Sequence, residues 1–484
     1  MYNTDYTYWN SPVTLASNFT LGSLSPNSPL MFSWIPTVSA GTGGNWQNEN
    51  DATIMDPRKG YLVRATTSFS SSIKTPYTAT FKGTPNNGII TAPIIKGTLT
   101  GVVDVDAEND EWKLIGNPYP SAIDAGLFLA LPANINAISG TIYVWTHNTA
   151  PSQAEPDPFY GDYALNYTEN DYASFNRTGG VSTRSSATIG GSPPSGYIAS
   201  RQSFFIRAAS SMAPGTTTTA TFNNSMRVGV EGKNGDFFKM NKNQKNEAIP
   251  KNVSDIERHR IWLNLTNNSG AFSQILVGYI EGATQALDRS FDGESFGGNN
   301  VGFHSIIPEA QLTIQGRALP FDENDQVLLG YYSEISAKRS VRIDHLDGLF
   351  VNQNILLEDK ELGIIHDLKD TPYVFQTEIG DFDERFVLRF TDKSLAINDL
   401  TNENTIIIHY TQSNKILNIA NKTGDNTIES VSLYDIQGKS ISNWKITDKE
   451  QTNIKIQVPS ISSGVYIVKL KTTKGNSSKR IIIK

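Results

Sequence analysis

Short strand-like stretches of mostly apolar residues, separated by polar turns, recur along almost the whole chain. One such stretch, at 260–265, leads through a polar turn containing Gly270 into a second at 274–280. Two such stretches joined by a short Gly-containing loop predict a β-hairpin. Helical periodicity is scarce, and the pattern indicates one short helix at 121–129. Many short strands without long helices predict an all-β protein of tandem β-sandwich-like domains.

The N-terminal part of the chain contains an internal repeat. Four short segments occur in the same order in two halves, at about 1–100 and 101–230. The matched pairs are Tyr8-Trp9-Asn10-Ser11-Pro12 with Leu114-Ile115-Gly116-Asn117-Pro118, Phe32-Ser33-Trp34 with Tyr143-Val144-Trp145, residues 60–65 with 203–208, and Thr78-Ala79-Thr80-Phe81 with Thr219-Ala220-Thr221-Phe222. Similar strand composition could produce such matches, but their shared order favours duplication. We therefore predict two superposable β-units, with insertions in the second, the largest at 148–194.

Polar stretches divide the remainder of the chain. Residues 231–258 are polar and charged and are expected to form a linker, followed by a predicted β-sandwich domain at 259–396. A second, shorter linker is expected near 395–404. The last module, 404–484, has six strand-like segments in about 80 residues, which predicts a compact sandwich of its own.

Charge is distributed unevenly between the last module and the rest of the chain. The net charge is −7, but from Asn404 onward there are 12 Lys+Arg and 5 Asp+Glu, a net charge of +7 that leaves −14 for the remainder. Two parts of opposite charge suggest different partners, although basic residues could equally serve to solvate exposed strands. The acidic body argues against nucleic acid as a partner.

The termini and cysteine content bear on where the protein acts. There are no cysteines, which excludes disulfides and thiolate chemistry, but a chain of 484 residues can bury enough surface without them. No stretch approaches the roughly 18 apolar residues of a membrane helix. The first residues lack the basic and apolar regions of a signal peptide. Because the chain opens in strand-like sequence, we expect it to be the C-terminal piece of a longer protein or a form without its leader.

Few residues could carry catalytic chemistry, and we expect no enzyme activity. Residues 293–297 match the G-x-S-x-G pattern around Ser295, but their flanks lack the strand and helix that a nucleophile elbow requires. We predict a flexible loop there. No pair among the six histidines has metal-ligand spacing.

Two weaker site hypotheses concern calcium and sugars. Asp104, Asp106 and Asp110 could hold calcium, although a solvated turn is the alternative because the spacing departs from an EF-hand loop. No other cofactor is expected. Trp34 and Trp145 could contact a ligand such as a glycan if they are exposed, while the competing interpretation places them in a sandwich core.

Three segments near the end of the chain carry a resemblance to a known family. They are Val431-Ser432-Leu433-Tyr434-Asp435-Ile436-Gln437-Gly438-Lys439, Ile461-Ser462-Ser463-Gly464-Val465-Tyr466-Ile467-Val468-Lys469 and Lys479-Arg480-Ile481-Ile482-Ile483-Lys484. In order and spacing they resemble the type A C-terminal sorting domain of the type IX secretion system of Bacteroidetes. The residues of this sorting signal would be Tyr434, Asp435, Gly438, Gly464, Tyr466, Lys479, Arg480 and Lys484. We expect Gly438 and Gly464 to supply positive φ angles in turns.

The resemblance implies a fold, a destination and partners. An Ig-like sorting domain is expected, recognised by a porin-like shuttle barrel and by the type IX translocon, with passage through the periplasm and outer membrane to the cell surface or medium. The resemblance also implies that the tag can be cleaved and replaced by a lipopolysaccharide anchor. A terminal strand ending at Lys484 would offer an open edge for β-augmentation.

The rest of the chain carries a second resemblance. Residues 5–13 and 115–121 resemble segments near the C-termini of large flavobacterial surface proteins, which are similar to adhesins and gliding-associated cargo. This resemblance implies an adhesin-like or gliding-associated role, with surface glycans or other adhesins as further partners. The alternatives are a polysaccharide-binding module and the non-catalytic tail of a larger secreted hydrolase.

Overall fold

The chain forms two compact units, Met1–Lys393 and Ser394–Lys484, which are described separately. The structure is a computed structural model. It describes residues 1–37, 46–98, 111–149, 167–183, 193–229, 256–267, 271–295, 301–391, 406–411, 415–421, 427–435, 439–448, 451, 453–473 and 475–483. Nearly all of the regular structure is β-strand, so the predicted all-β class is confirmed. No helix within these ranges is long and apolar enough to span a membrane.

The first unit opens with a small antiparallel sheet. Its strands are β1 (Tyr6–Trp9), β2 (Met31–Trp34), β3 (Trp46–Asn48) and β4 (Tyr61–Arg64), in the order β1-β4-β2-β3. A single helical turn, α1 (Leu21–Leu24), lies between β1 and β2 and is capped by the Thr20 side chain. Tyr61 and Val63 of the central strand β4 belong to a hydrophobic core that is separate from the other cores of the first unit.

A second antiparallel sheet follows. The elements of this part of the chain are β5 (Ile90–Ile95), β6 (Trp112–Gly116), β7 (Ile123–Asp124), α2 (Ala125–Ala130), α3 (Pro132–Ile135), β8 (Ile142–Trp145), β9 (Tyr172–Phe175), β10 (Gly180–Val181), β11 (Tyr197–Ile198), β12 (Ser203–Arg207) and β13 (Thr217–Phe222). The sheet order is β6-β12-β8-β9-β10, and β7–β11 and β5–β13 form separate pairs. The helix expected at 121–129 begins instead after Asp124, because the side chain of Asp124 accepts the Leu127 N–H at 3.0 Å and so caps α2.

The two sheets have the same strand order, with β1, β4, β2 and β3 at the places of β6, β12, β8 and β9. Directly opposed residues on three adjacent strands are Tyr8–Leu62–Phe32 in the first sheet and Leu114–Phe205–Tyr143 in the second. Phe81 packs on Phe19 and Phe222 packs on Phe128, each with ring centroids 4.7 Å apart. The segments around Phe81 and Phe222 differ in one respect, because only Phe222 lies in a strand. Superposition of the two halves stays a prediction.

The remainder of the first unit is one large rolled sheet. Its strands are β14 (Arg258–Thr266), β15 (Phe272–Ile280), β16 (Gly293–Glu294), β17 (Val301–Ile307), β18 (Ala310–Ala318), β19 (Gln326–Ser333), β20 (Ala337–Leu346), β21 (Leu356–Asp359), β22 (Ile364–Asp367), β23 (Tyr373–Thr377) and β24 (Gly380–Arg389). The order is β22-β21-β24-β19-β17-β18-β15-β14-β20-β23, with β16 on β18. The predicted hairpin β14–β15 is confirmed, and the β15–β18 pair is parallel.

This sheet curls until it is nearly a closed barrel around one core. Strands from both ends of the order contribute to that core, including Leu357 of β21 and Phe375 of β23. Tyr373 of β23 donates its hydroxyl to Asp359 of β21 at 2.8 Å, which ties the two ends together. A single sheet thus encloses the core of the domain expected at 259–396.

The repeat region and the rolled sheet pack against each other within the first unit. The indole N–H of Trp262 donates to the Gly180 carbonyl at 2.8 Å, and the amide of Asn176 donates to the Phe291 carbonyl at 2.9 Å. The linkers expected at 231–258 and 395–404 lie almost wholly outside the described residues. The predicted domain boundaries therefore stay predictions.

The second unit is a seven-stranded sandwich. Its strands are β25 (Ile406–Thr411), β26 (Ile416–Asn421), β27 (Ile428–Asp435), β28 (Ser440–Lys445), β29 (Asn453–Gln457), β30 (Gly464–Thr472) and β31 (Gly475–Ile483). One sheet has the order β25-β26-β29 and the other β28-β27-β30-β31. Apolar residues from both sheets, such as Leu417 and Val468, form a single core. This unit therefore has the sandwich form that the sequence predicts.

Candidate functional site

The terminal strand β31 lies at one edge of the four-stranded sheet of the second unit. It pairs with β30 over its full length, from Gly475 opposite Thr472 to Ile483 opposite Gly464. Ile481 and Ile483 point into the sandwich core and are 6% and 5% exposed. The strand completes the core, and it is an edge strand because no other described strand pairs with its second backbone edge.

The tyrosines and glycines of the expected sorting signal differ in what they do. Tyr466 is buried in the core, and its hydroxyl donates to the Ser462 carbonyl at 2.8 Å, which fixes the approach to β30. Gly464 has no positive φ, so that prediction is wrong. It is the first residue of β30, paired with Ile483 in extended conformation, and a Cβ there would meet the Tyr466 ring at 3.6 Å. Tyr434 lies half-buried on β27.

Asp435 closes the hairpin between β27 and β28. Its backbone N–H donates to the Lys439 carbonyl at 3.0 Å, and its carboxylate accepts the Lys439 N–H at 2.9 Å. Gly438, for which the sequence predicts a positive φ, lies between them and outside the described residues. The hairpin itself, which the sequence predicts at this place, is confirmed by the β27–β28 pairing.

Two basic residues of the terminal segment, Lys479 and Arg480, belong to the edge strand β31. Lys479 is exposed, and Arg480 lies in β31 opposite Ile467. Lys484 lies outside the described residues. Lys479 and Arg480 are consecutive in the edge strand and are paired with Val468 and Ile467 of β30, so they lie on opposite faces of the sheet.

Trp34 and Trp145 belong to an aromatic layer between the two sheets of the repeat region. The layer consists of Tyr8, Trp34, Leu114, Tyr143 and Phe205, with Trp46, Leu62, Trp112, Trp145 and Tyr172 packed against it. Trp34 is 6% exposed, and its indole N–H donates to the Trp112 carbonyl at 2.9 Å. Trp34 is therefore a core residue, and a sugar could reach it only if the layer opened. A ligand contact by Trp145 stays a prediction.

The two remaining site hypotheses are the calcium site at Asp104, Asp106 and Asp110 and the loop around Ser295. The three aspartates lie outside the described residues. Within the described residues, no group of three or more His, Asp or Glu side chains could hold a metal ion. The loop predicted around Ser295 is wrong in part, because Gly293 and Glu294 form β16 on the neighbouring strand β18. The Ser295 N–H continues this pairing by donating to the Gln311 carbonyl at 2.9 Å.

Comparison with known families assigns most of the chain. Residues 1–390 match the family described as Domain of unknown function (DUF8693). The chain belongs to this family. Its matched region covers the repeat region and the rolled sheet, which form one compact unit, and its description names no activity or partner. No curated protein matches the chain.

The C-terminal unit matches a second family. Residues 413–484 match the one described as Secretion system C-terminal sorting domain. This match supports the chain as cargo of a type IX secretion system, and the sorting domain implies interaction with that machinery and export to the cell surface or extracellular space. The matched range begins just after β25 and includes the other six strands of the sandwich.

Proposed function

We propose that the chain is a cell-surface cargo with an adhesin-like or gliding-associated role, delivered by its C-terminal sorting domain. In this proposal the domain is recognised by a porin-like shuttle barrel and by the outer-membrane translocon. The observation that carries the proposal is the complete sandwich at the end of the chain, which has its own core and matches a sorting-domain family. The adhesin-like role rests on the resemblance of residues 5–13 and 115–121 to flavobacterial surface proteins.

The free edge of β31 is the first candidate for contact with the shuttle. An edge strand presents unpaired N–H and C=O groups, which a strand of another protein can complete by β-augmentation. Lys479 is exposed on this strand. Its positive charge would steer association with an acidic surface, and that contribution weakens as salt is raised.

A reporter fusion tests whether the sorting domain is sufficient for export. Residues 404–484 are placed behind a signal peptide and a fluorescent protein in a bacterium that has a type IX system. We expect the reporter at the cell surface or in the medium, because the domain has an independent core and its own hairpins. A reporter that stays in the periplasm while the domain is folded would contradict the proposal.

Charge reversal at the end of the domain separates docking from folding. The variant Lys479→Glu with Lys484→Glu keeps every buried residue of β31, because Ile481 and Ile483 are unchanged. We expect it to fold and to be exported less well than the unaltered fusion. Equal export of the folded variant would remove the electrostatic part of the docking hypothesis.

A further inference from the structure

The central strand β30 exposes an apolar and basic stripe. Alternate residues of β30 point into the core, among them Tyr466, Val468 and Leu470. The residues between them face solvent and are Val465, Ile467, Lys469 and Lys471. Val465 and Ile467 are each 36% exposed, although a residue of this type in a central strand is usually covered. The stripe therefore has an apolar half and a basic half.

Neighbouring strands extend both halves of the stripe across the sheet. Residues that are directly paired in antiparallel strands share a face of the sheet. Tyr434 of β27 is paired with Ile467, so its half-buried ring adds to the apolar half. Ser430 is paired with both Lys471 and Lys445, so Lys445 of β28 adds to the basic half. We call this surface the outer face of the four-stranded sheet.

The positive charge of the outer face is only partly neutralised. Lys469 is paired with Ser432 on one side and Ser478 on the other, so neither cross-strand neighbour is acidic. Lys471 forms an ion pair with Glu429 at 3.0 Å. Within the described part of this unit, Lys445 and Lys469 form no ion pair. Two of its three lysines thus remain available to a partner.

The other sheet of the sandwich provides a contrast. The outward residues of β26 are Ile416, Asn418 and Ala420, and those of β29 are Asn453, Lys455 and Gln457. Lys455 is the single charged residue among these six. The outward residues of β26 and β29 therefore lack the concentration of charge beside exposed aliphatic groups that the outer face shows.

We propose that the outer face of the four-stranded sheet is a docking surface for an acidic and partly apolar protein surface of the export machinery. This inference rests on the proposed function. A protein partner is favoured over an acidic glycan because Tyr434, Val465 and Ile467 would leave apolar surface uncovered against a purely polar ligand. An anionic lipid surface is the other occupant that combines both properties, and the vesicle experiment below tests it. The lysines would be matched by carboxylates, and the serines between them would allow close approach. The surface is separate from the backbone edge of β31.

Charge reversal on the two faces of the sandwich tests the proposal in the full-length chain. The test variant is Lys445→Glu with Lys469→Glu, and the control is Lys455→Glu, an exposed lysine on the opposite face. Thermal unfolding of the purified proteins establishes that each variant is folded. We expect export of the test variant to fall about tenfold or more and that of the control to stay within about twofold. Ile467→Ser, which removes apolar surface only, should reduce export as well.

The outcomes separate the inference from the function on which it rests. A chain that ends at residue 403 and is still exported overturns the proposed function itself. If that chain stays inside the cell but the folded test variant is exported like the unaltered chain, the docking surface alone is overturned. Vesicles of phosphatidylcholine with phosphatidylglycerol provide a further arm, since we expect no binding of the purified chain. Binding that is lost in the test variant would identify a lipid as the occupant and overturn the protein partner.

Discussion

Removal of the last strand should unfold the sorting domain and so cannot by itself demonstrate a docking role. Deletion of residues 479–484 takes away Ile481 and Ile483, which are 6% and 5% exposed. Truncating one buried Ile to Ala costs about 2–5 kcal/mol, so losing both side chains costs about 4–10 kcal/mol. The whole stability of a domain is about 5–15 kcal/mol, and small domains lie at the lower end. The truncated domain is therefore expected to be largely unfolded.

Hydrogen exchange of the purified full-length chain measures this directly. We expect peptides from β27 and β30 to be protected in the unaltered chain and to exchange rapidly in the truncated one. Peptides from β14 and β15 in the first unit provide an internal control and should not change, because the two units have separate cores. Lys479→Glu should keep the protection. Retained protection of β27 after truncation would refute the reasoning.

Three further predictions concern the first unit. Phe205→Ala should lower the free energy of unfolding of the first unit by about 3–5 kcal/mol in urea, since Phe205 is 4% exposed within the aromatic layer. A decrease below about 1 kcal/mol would contradict that packing. Burial opposes ionisation of Asp359, but hydrogen bonds from Arg385 and Tyr373 outweigh it and lower its pKa. The ionised carboxylate thus stabilises the fold above its unfolded pKa of about 3.9, and this stabilisation is lost as the pH falls through the lower folded pKa. Asp359→Asn should therefore cost about 3–5 kcal/mol at neutral pH and should weaken the dependence of stability on pH in the acid range. An unchanged dependence on pH in that range would contradict the prediction. Ser295→Ala should leave any esterase activity of the pure protein unchanged, and a loss would identify a nucleophile.

The sequence predicts local features of the fold better than long-range ones. The hairpin β14–β15 is recognisable because both strands are rich in apolar residues and a Gly-containing turn joins them. The parallel pairing of β15 with β18 leaves no such local mark, since it depends on how the whole sheet rolls. The turn at 435–438 predicts a hairpin, but the bounds of its second strand β28 are hard to recognise because Ser440–Lys445 contains only two large apolar residues, Ile441 and Trp444.

The sequence predicts where the sorting domain lies in the chain, but it does not predict which residues share a face of its sheets. Segment order identifies the sorting domain, because its turns and strands lie close together in sequence. The sequence offers both a core position and a ligand contact for Trp34, and the choice between them depends on two sheets packing face to face. The alternation in β30 is visible in the sequence as Val465, Ile467, Lys469 and Lys471, but only the sheet order places Tyr434 and Lys445 beside it.

The central claim is that the C-terminal unit directs the chain out of the cell. The most direct measurement is the accessibility of the first unit to an added protease in intact cells, with the full-length chain compared to a chain that ends at residue 403. The two chains share the whole of the family-matched region 1–390 and its core. The account predicts that the full-length chain is digested or found in the medium while the shortened chain is protected in the periplasm. Equal digestion of both chains would contradict it.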